Sequence, residues 1–196
     1  MKYSKIKRCR LCYSDRLKSL MDFGPISLSS AFPYKNLKYN EIIPMIFGIC
    51  KNCRSAQLLH NYDLKTLYND EYGYRSGINQ SMINHLAGII KDIKKIIKFK
   101  KGDYVLDIAS NDATLLKSYK SSKINYVGID PTINKYKEYY PKNYKTKSAL
   151  FSKKKYFDLS AKQKAKIITS IAMFYDVQNP NKFVSDIRDI LRKDGI

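Results

Sequence analysis

The chain lacks the marks of secreted and membrane-spanning proteins. No apolar stretch approaches the roughly 20 residues needed to cross a bilayer; the best, Ile42 to Cys50, is far shorter and contains Pro44. The amino terminus, MKYSKIKRCR, has positive residues with no apolar core behind them, so it is not a secretory signal, and a cytoplasmic protein is expected. Acidic residues are scarce: 17 Asp+Glu stand against 37 Lys+Arg, for a net charge of +20. Such an excess raises nucleic acid or an anionic substrate as partner. Arginine, the better bidentate reader of phosphate and guanine, is also scarce beside lysine, and the excess is spread along the chain. The charge therefore reads first as solvated lysine, then as attraction for an anionic substrate, and last as a nucleic-acid surface. What is present suffices for a packed core: 44% of 196 residues are hydrophobic and 28% charged, enough for one ordinary domain and a small one.

All four cysteines fall in two matching pairs, Cys9-Arg-Leu-Cys12 and Cys50-Lys-Asn-Cys53. Each C-x-x-C puts two thiolates on a tight turn, and two such turns facing each other close a tetrahedral sulfur cage. Zn²⁺ suits that cage because it has no ligand-field preference and favours thiolate. Disulfides are disfavoured in a reducing compartment, and a redox C-x-x-C needs no second copy. A closed cage leaves no open coordination position, so the expected metal is structural. Arg8, Arg10, Lys51 and Arg54 lie close enough in sequence to offset the charge of a tetrathiolate. Between the pairs, residues 23–33 read as extended and turn-rich, and Ile42 to Cys50 as a strand entering the second turn. His60 is not needed as a ligand and reads as a satisfied structural or surface residue.

A second region begins after the tyrosine-rich stretch YDLKTLYNDEYGYR. From Asn79, Met82, Leu86, Ile89, Ile90, Ile93 and Ile97 recur at helical spacing, and the lysines that follow form a solvated face and end. Gly102-Asp103 breaks that helix before a strand over 104–108. A helix is expected over 112–120, a strand over 126–129, a helix opening at Pro131, a strand over 167–171, and a helix from Pro180 with Phe183, Ile187, Ile190 and Leu191 inward. This alternation predicts an α/β fold, a Rossmann-like parallel sheet with helices on both faces, preceded by a small zinc-binding domain. The expected division is 1–62 for zinc, 63–78 as a linker, and 79–196 for the Rossmann-like part.

Ligands in such sheets bind beyond the carboxyl ends of the strands. There the chain reads YVLDIASNDATLL, with Asp107 late in the first strand and a turn at Ser110, Asn111 and Asp112 whose amides can meet a ligand. Asp130 closes the next strand, placed to accept from ribose hydroxyls. The loop is poor in glycine, with Ala109 and Ala113 where such loops usually carry it. A pyrophosphate needs very close backbone approach, whereas S-adenosylmethionine has no phosphate and tolerates alanine better.

These segments together resemble the sugar C-methyltransferases that act on nucleotide-linked 4-keto-deoxy sugars. The resemblance runs through CRLC, DFGPISLSSAF, CKNCRSAQL, EYGYRSG, VLDIASNDATLL, VGIDPT and SIAMFYDVQNPNKFV, nearly the whole chain. It implies a four-cysteine zinc domain, an S-adenosylmethionine domain, and a further carboxyl-terminal domain. It implies metal ligands Cys9, Cys12, Cys50 and Cys53. The implied cofactor contacts are Asp107, Ala109, Ser110, Asn111 and Asp112, then Asp130 with Pro131, and Ser170, Ile171 and Ala172. The implied substrate is a nucleotide sugar, methylated at a carbon next to its ketone, without metal chemistry. An active-site tyrosine matches Tyr74 first and Tyr72 second; in so tyrosine-rich a chain either can instead pack between domains.

Two departures follow. Where relatives carry histidine after the later strand, this chain has Asp176, which reads either as a base or, preferably, as the cap of a turn before the Pro180 helix. The chain also stops at Ile196, where relatives continue, so an uncovered edge on the later strand is expected, with a second polypeptide or a longer chain completing the enzyme. The rival expectations are a zinc-ribbon nucleic-acid-binding or RNA-modifying protein, binding through lysine and stacked tyrosine, and an inactive partner subunit. No membrane partner is expected.

Overall fold

In the computed structural model the described residues are 3–27, 42–69 and 72–196. They fall into two compact units, residues 1–73 with 176–182, and residues 74–175 with 183–196. No helix among the described residues is long and apolar enough to cross a membrane.

The first unit is built from short antiparallel pieces. Strands β2 (Leu17–Ser27), β3 (Ile42–Cys50) and β4 (Ala56–Leu58) form one sheet in that order, and β1 (Tyr3–Lys5) pairs with β5 (His60–Tyr62). Residues 23–27 of the stretch expected to be extended belong to β2; the remainder of it lies outside the described residues. Gly48 in β3 is required by close approach, because a Cβ there would stand 2.7 Å from the Lys18 carbonyl oxygen and 2.8 Å from a Leu59 methyl. Among the described residues of this unit few apolar side chains are buried: Cys9, Ile43, Cys50 and Leu59. So small a core needs a staple, which the cysteines are placed to provide. A single helical turn, α1 (Leu64–Leu67), follows, capped by Asp63, whose carboxylate accepts from the Lys65 amide.

The second unit opens with α2 (Gln80–Ile96), capped by the Asn79 side chain, with Leu86 and Ile90 buried. It packs into one core with Val105, Leu116, Tyr119, Tyr126 and Ile167. The sheet contains β6 (Tyr104–Ile108), β7 (Asn125–Ile129), β8 (Lys145–Lys147) and β9 (Ala165–Ser170), all parallel, in the order β8-β7-β6-β9. Both faces are covered, so β6 and β7 read as near-continuous apolar runs rather than as alternation. Helices α3 (Thr114–Lys117), α4 (Lys153–Ser160) and α5 (Pro180–Ile190) complete it.

Three expectations are corrected. The helix of 112–120 contracts to α3, because Asp112 engages the Thr114 amide and hydroxyl and Ala113 stands in left-handed backbone. The helix opening at Pro131 is absent: Asp130 turns the chain by accepting from the Thr132 amide and hydroxyl, and only a 3-10 turn forms, at Lys137–Tyr139 before Pro141. The outer edge of β9 is not bare. Arg192 donates its amide to the Ala165 carbonyl (2.9 Å), Ile196 to Lys166 (3.1 Å), and Ile168 to Ile196 (2.9 Å). The Lys166 ammonium holds this segment through the Asp194 carbonyl and carboxylate at 2.6 and 2.8 Å.

Two isoleucines on α2 test its orientation: Ile90 is 1% exposed and Ile96 is 73% exposed. Ile90→Ala should lower the unfolding free energy by about 2–5 kcal/mol, and Ile96→Ala by no more than about 0.5 kcal/mol. Denaturant midpoints of the two variants check this, and equal losses would contradict the placement of the helix.

Candidate functional site

The two C-x-x-C turns adopt the same geometry. Cys9 N–H donates to the Ser14 carbonyl and Tyr13 N–H to the Cys9 carbonyl; Cys50 N–H to Ser55 and Arg54 N–H to Cys50 repeat the pattern. The residue after each pair, Tyr13 and Arg54, is left-handed, at φ 60° and 64°. The four sulfurs lie within 4.8 Å of one another, with Cys9–Cys53 and Cys12–Cys50 each at 3.6 Å. A tetrahedron with zinc–sulfur bonds of about 2.3 Å has edges of about 3.8 Å, so the cage fits Zn²⁺.

Donors also point at the sulfurs: Gln57 Nε2 and Leu11 N–H stand 3.2 and 3.4 Å from Cys9 Sγ, and Asn52 Nδ2 is 3.6 Å from Cys12 Sγ. Burial raises the Cys9 pKa, but donors from the Cys12 main chain, Gln57 and Leu11 outweigh it and bring it to about 6. For Cys53, the Ser55 amide favours the thiolate, yet burial and the three other sulfurs push it up to about 12. Arg10 interacts with the Cys9 charge through space, while its guanidinium donates to the Leu58 and His60 carbonyls and to Asn61 Oδ1, tying the first turn to β4 and β5. His60 is buried beside Tyr3 and Tyr62, and its Nδ1 has no hydrogen-bond partner, so it is structural rather than satisfied. Burial, then Lys5, depresses its pKa.

In the second unit the candidate cofactor residues gather at the carboxyl edge of the sheet. Ile108 is in register with Ile129 on one side and Ser170 on the other, so the loop after β6 lies beside Asp130 and Ser170. Its backbone alternates into the left-handed region at Ala109, Asn111 and Ala113, with φ of 62°, 47° and 64°. Asp130 Oδ2 accepts the Asn111 amide at 3.0 Å while its Oδ1 accepts from Thr132. Ala109 N–H goes to the Ile129 carbonyl and Ala113 N–H to Ser110. The expectation that loop amides meet the ligand is thus corrected at Asn111, whose N–H is taken by the Asp130 carboxylate at the end of β7. Ser110 Oγ is 2.8 Å from the Tyr140 hydroxyl, which donates to the Asn111 carbonyl; Gly128 makes room, since a Cβ there would stand 2.8 Å from Ser110 Oγ.

Asp107 is fully buried, with Thr169 Oγ1 donating to it at 2.6 Å. Burial dominates and pushes its pKa up to about 7, with the Thr169 donor opposing and the nearby Asp130 charge adding. Asp112 is occupied by Thr114, the Gly77 amide and Arg75. Pro131 accepts from Ser148 through its carbonyl. Ser170 Oγ is buried without a hydrogen-bond partner, a polar atom that a ligand at this edge would satisfy; Ile171 is partly buried and Ala172 is exposed at φ 53°. The edge therefore offers carboxylates and an unspent hydroxyl, with the Ala109, Asn111 and Ala113 amides already bonded within the fold.

The candidate catalytic residues separate. Tyr74 belongs to the second unit and is 43% exposed. Tyr72 and Asp176 belong to the first, linked through Tyr68, whose hydroxyl donates to Asp176 Oδ2 and whose ring meets that of Tyr72 at 5.2 Å. Burial raises the Asp176 pKa, against the Tyr68 bond. Asp176 ends a 3-10 turn, Phe174–Asp176, with its carboxylate on Tyr68, and the start of α5 is capped by Asn179, which accepts from the Lys182 amide at 3.0 Å. Tyr68, Thr169, Tyr136 and Tyr140 carry no motif that singles them out in the sequence; only the density of tyrosine hints at them.

A family described as "Putative zinc binding domain" matches residues 9–68, and one described as "Methyltransferase domain" matches residues 81–196. The chain belongs to this methyltransferase family. A C-methyltransferase, NovU, of Streptomyces niveus is 25% identical over 136 residues, which is 66% of this chain and 31% of that protein. The chain thus spans about a third of the curated relative it matches. Among solved structures, a precorrin 8w decarboxylase from the Methanobacterium thermoautotrophicum genome shares 12% identity at a TM-score of 0.42, over 55% of this chain and 59% of that one. A SAM-dependent methyltransferase from Geobacter sulfurreducens in complex with S-adenosyl-L-homocysteine shares 13% at 0.37, over 62% and 48%.

Two measurements check the methyltransferase chain's two sites. Cys50→Ser should abolish stoichiometric zinc by metal analysis and remove hydrogen-exchange protection from β2, β3 and β4, leaving the protection of β6 and β7 in place. For Asp107 the folded pKa lies above the unfolded value, so its neutral form favours folding and stability is lost as pH rises from about 4 through about 7. Asp107→Asn should therefore gain stability relative to wild type progressively over that window, read as the difference in melting temperature at pH 4 and pH 8; a constant difference would contradict the burial argument.

Proposed function

We propose that this chain is the zinc-stapled, S-adenosylmethionine-binding part of a C-methyltransferase acting on a nucleotide-linked 4-keto-deoxy sugar. The family supports methyl transfer, and the Streptomyces niveus relative, a C-methyltransferase, supports carbon as the acceptor. One observation carries the choice of cofactor: in the loop of 109–113 the Ala109 and Asn111 amides are spent on Ile129 and Asp130 at the end of β7 and the Ala113 amide on Ser110, and the loop sits beside the carboxylates of Asp107 and Asp130. A phosphate would find few donors and nearby negative charge, whereas an ammonium or sulfonium would be stabilised.

When bound, S-adenosylmethionine supplies an electrophilic methyl on a positively charged sulfur. Asp130 would accept from the ribose hydroxyls, Ser170 would gain the partner it lacks, and Asp107 would lose its proton to solvent on binding of the positively charged ligand. Within the first unit, Asp176, whose pKa is raised by burial and whose carboxylate accepts from the Tyr68 hydroxyl, is the candidate base for the proton on the carbon next to the ketone. The Tyr74 hydroxyl would donate to the enolate oxygen while that carbon bonds to the methyl and the S–CH3 bond breaks, its electron pair staying on the sulfur of the departing thioether. The tetrathiolate metal centre takes no part in these steps and holds the first unit folded. Part of the +20 charge attracts the diphosphate of the substrate.

Calorimetric titration at high salt tests this reading. Saturable S-adenosylmethionine binding should tighten as pH rises to about 7, because the ligand selects ionised Asp107. Asp130→Ala should weaken it by about 1–3 kcal/mol through lost hydrogen bonds to a charged group. Failure of wild type to bind, together with salt-steep binding to RNA or DNA, would replace this function with a nucleic-acid one.

A further inference from the structure

The loop expected to hold the cofactor also holds something else. Asn111 Oδ1 accepts the Ser76 amide at 2.9 Å, and its Nδ2 donates to the Tyr74 carbonyl at 3.1 Å. The Tyr136 hydroxyl donates to the same carbonyl at 3.0 Å. One residue along, Asp112 Oδ2 accepts the Gly77 amide at 3.0 Å and pairs with Arg75 at 3.5 Å. Arg75 in turn lies over the Tyr139 ring, 4.2 Å from its centre. The approach is so close that a Cβ on Gly77 would stand 2.5 Å from Asp112 Oδ2 and 2.8 Å from Thr114 Oγ1. Residues 74–77 are thus strapped across the loop by its own side chains.

The demands at position 111 explain why asparagine stands there. The backbone is left-handed at φ 47°, which glycine accepts most readily and asparagine next. Glycine would make the turn but has no carboxamide. Aspartate would accept from Ser76, but it could not donate to Tyr74 and would add charge between Asp112 and Asp130. Asparagine alone meets both the backbone demand and the two-sided bond. Its main-chain amide is meanwhile fixed to Asp130 and its carbonyl to Tyr140.

We propose that Asn111 is a positioning residue, which joins the acid at the end of β7 to the main chain of Tyr74 and Ser76, so that the loop gripping the methyl donor also sets where the Tyr74 hydroxyl stands. This rests on the function proposed above for its meaning in catalysis, though the latch itself is tested without ligand. It predicts that the Asn111 side chain matters little for donor affinity and much for transfer.

The chain has no tryptophan, so Tyr74→Trp provides a single emitter, and the latch bonds run to the main chain that this change preserves. In that background Asn111→Gly should lower the fluorescence anisotropy of the introduced indole. In the Tyr74 chain, the Ser76 amide should exchange at least about fivefold faster, the size of one net hydrogen bond. S-adenosylmethionine affinity should stay within about threefold, because glycine keeps the amide on Asp130, while transfer to a 4-keto sugar nucleotide at saturating donor falls at least about tenfold through misplacement. Unchanged anisotropy and unchanged Ser76 exchange would overturn the latch. Should Asn111→Gly fail to fold, Asn111→Asp decides, because it keeps an acceptor for Ser76 and loses the donor to Tyr74: anisotropy should still fall, and no change would refute the proposal. A wild-type chain that binds no S-adenosylmethionine sinks the proposed function and leaves these ligand-free readouts interpretable.

Discussion

The hydrogen bond from the Asn111 amide to the Asp130 carboxylate is the constraint on which the second unit's functional edge depends. Three L-residues alternate into left-handed backbone between β6 and α3, each at a cost of order 1–2 kcal/mol relative to right-handed geometry. Such a loop persists only where its surroundings over-determine it. Here Asp130 fixes its middle, the Ile129 carbonyl its start, and Ser110 with Tyr140 its underside. The consequence is chemical as well as structural. With the Ala109, Asn111 and Ala113 amides already bonded and Asp107 and Asp130 nearby, the loop has few donors left for a phosphate, which is the basis of the proposed preference for positive charge.

The first unit solves a different problem. Its few buried apolar side chains cannot hold three sheet strands and a two-stranded ribbon together unaided. Two turns of the same shape, each ending in a left-handed residue, bring four sulfurs within the span of one metal ion. Arg10 extends that organisation into β4 and β5 by donating to the Leu58 and His60 carbonyls. The buried, half-partnered His60 makes this unit sensitive to acid: with its pKa depressed below the unfolded value of about 6.5, stability declines as pH falls below that value.

Much of this is legible from residue order because it is local. Repetition of C-x-x-C, the helical spacing of Leu86 and Ile90, and apolar runs closing in Asp107 and Asp130 each need only neighbours in sequence. What residue order conceals is carried through space. Nothing in YGYRSG announces that Ser76 and Tyr74 would be bound by a side chain at position 111. The pattern NKYKEYYPKN looks helical, yet the Asx turn at Asp130 and Pro141 leave room for only a 3-10 turn. Asp176 reads as a cap because a helix follows it, but the neighbouring Asn179 does that work and leaves Asp176 to Tyr68. The edge of β9 is expected to stand open since no further strand is visible in the sequence, whereas residues 192–196, without strand pattern, hydrogen-bond along it.

The central claim is that the carboxyl edge of β6 and β7 receives a positively charged nucleoside. A crystal structure of the chain grown with S-adenosylmethionine tests it most directly. Both ribose hydroxyls should lie within hydrogen-bonding distance of Asp130, with the methionine moiety near Asp107 and the loop of 109–113 unchanged in its left-handed conformation. Density for the ligand anywhere else, or an edge closed by side chains with no space for adenine, would contradict it.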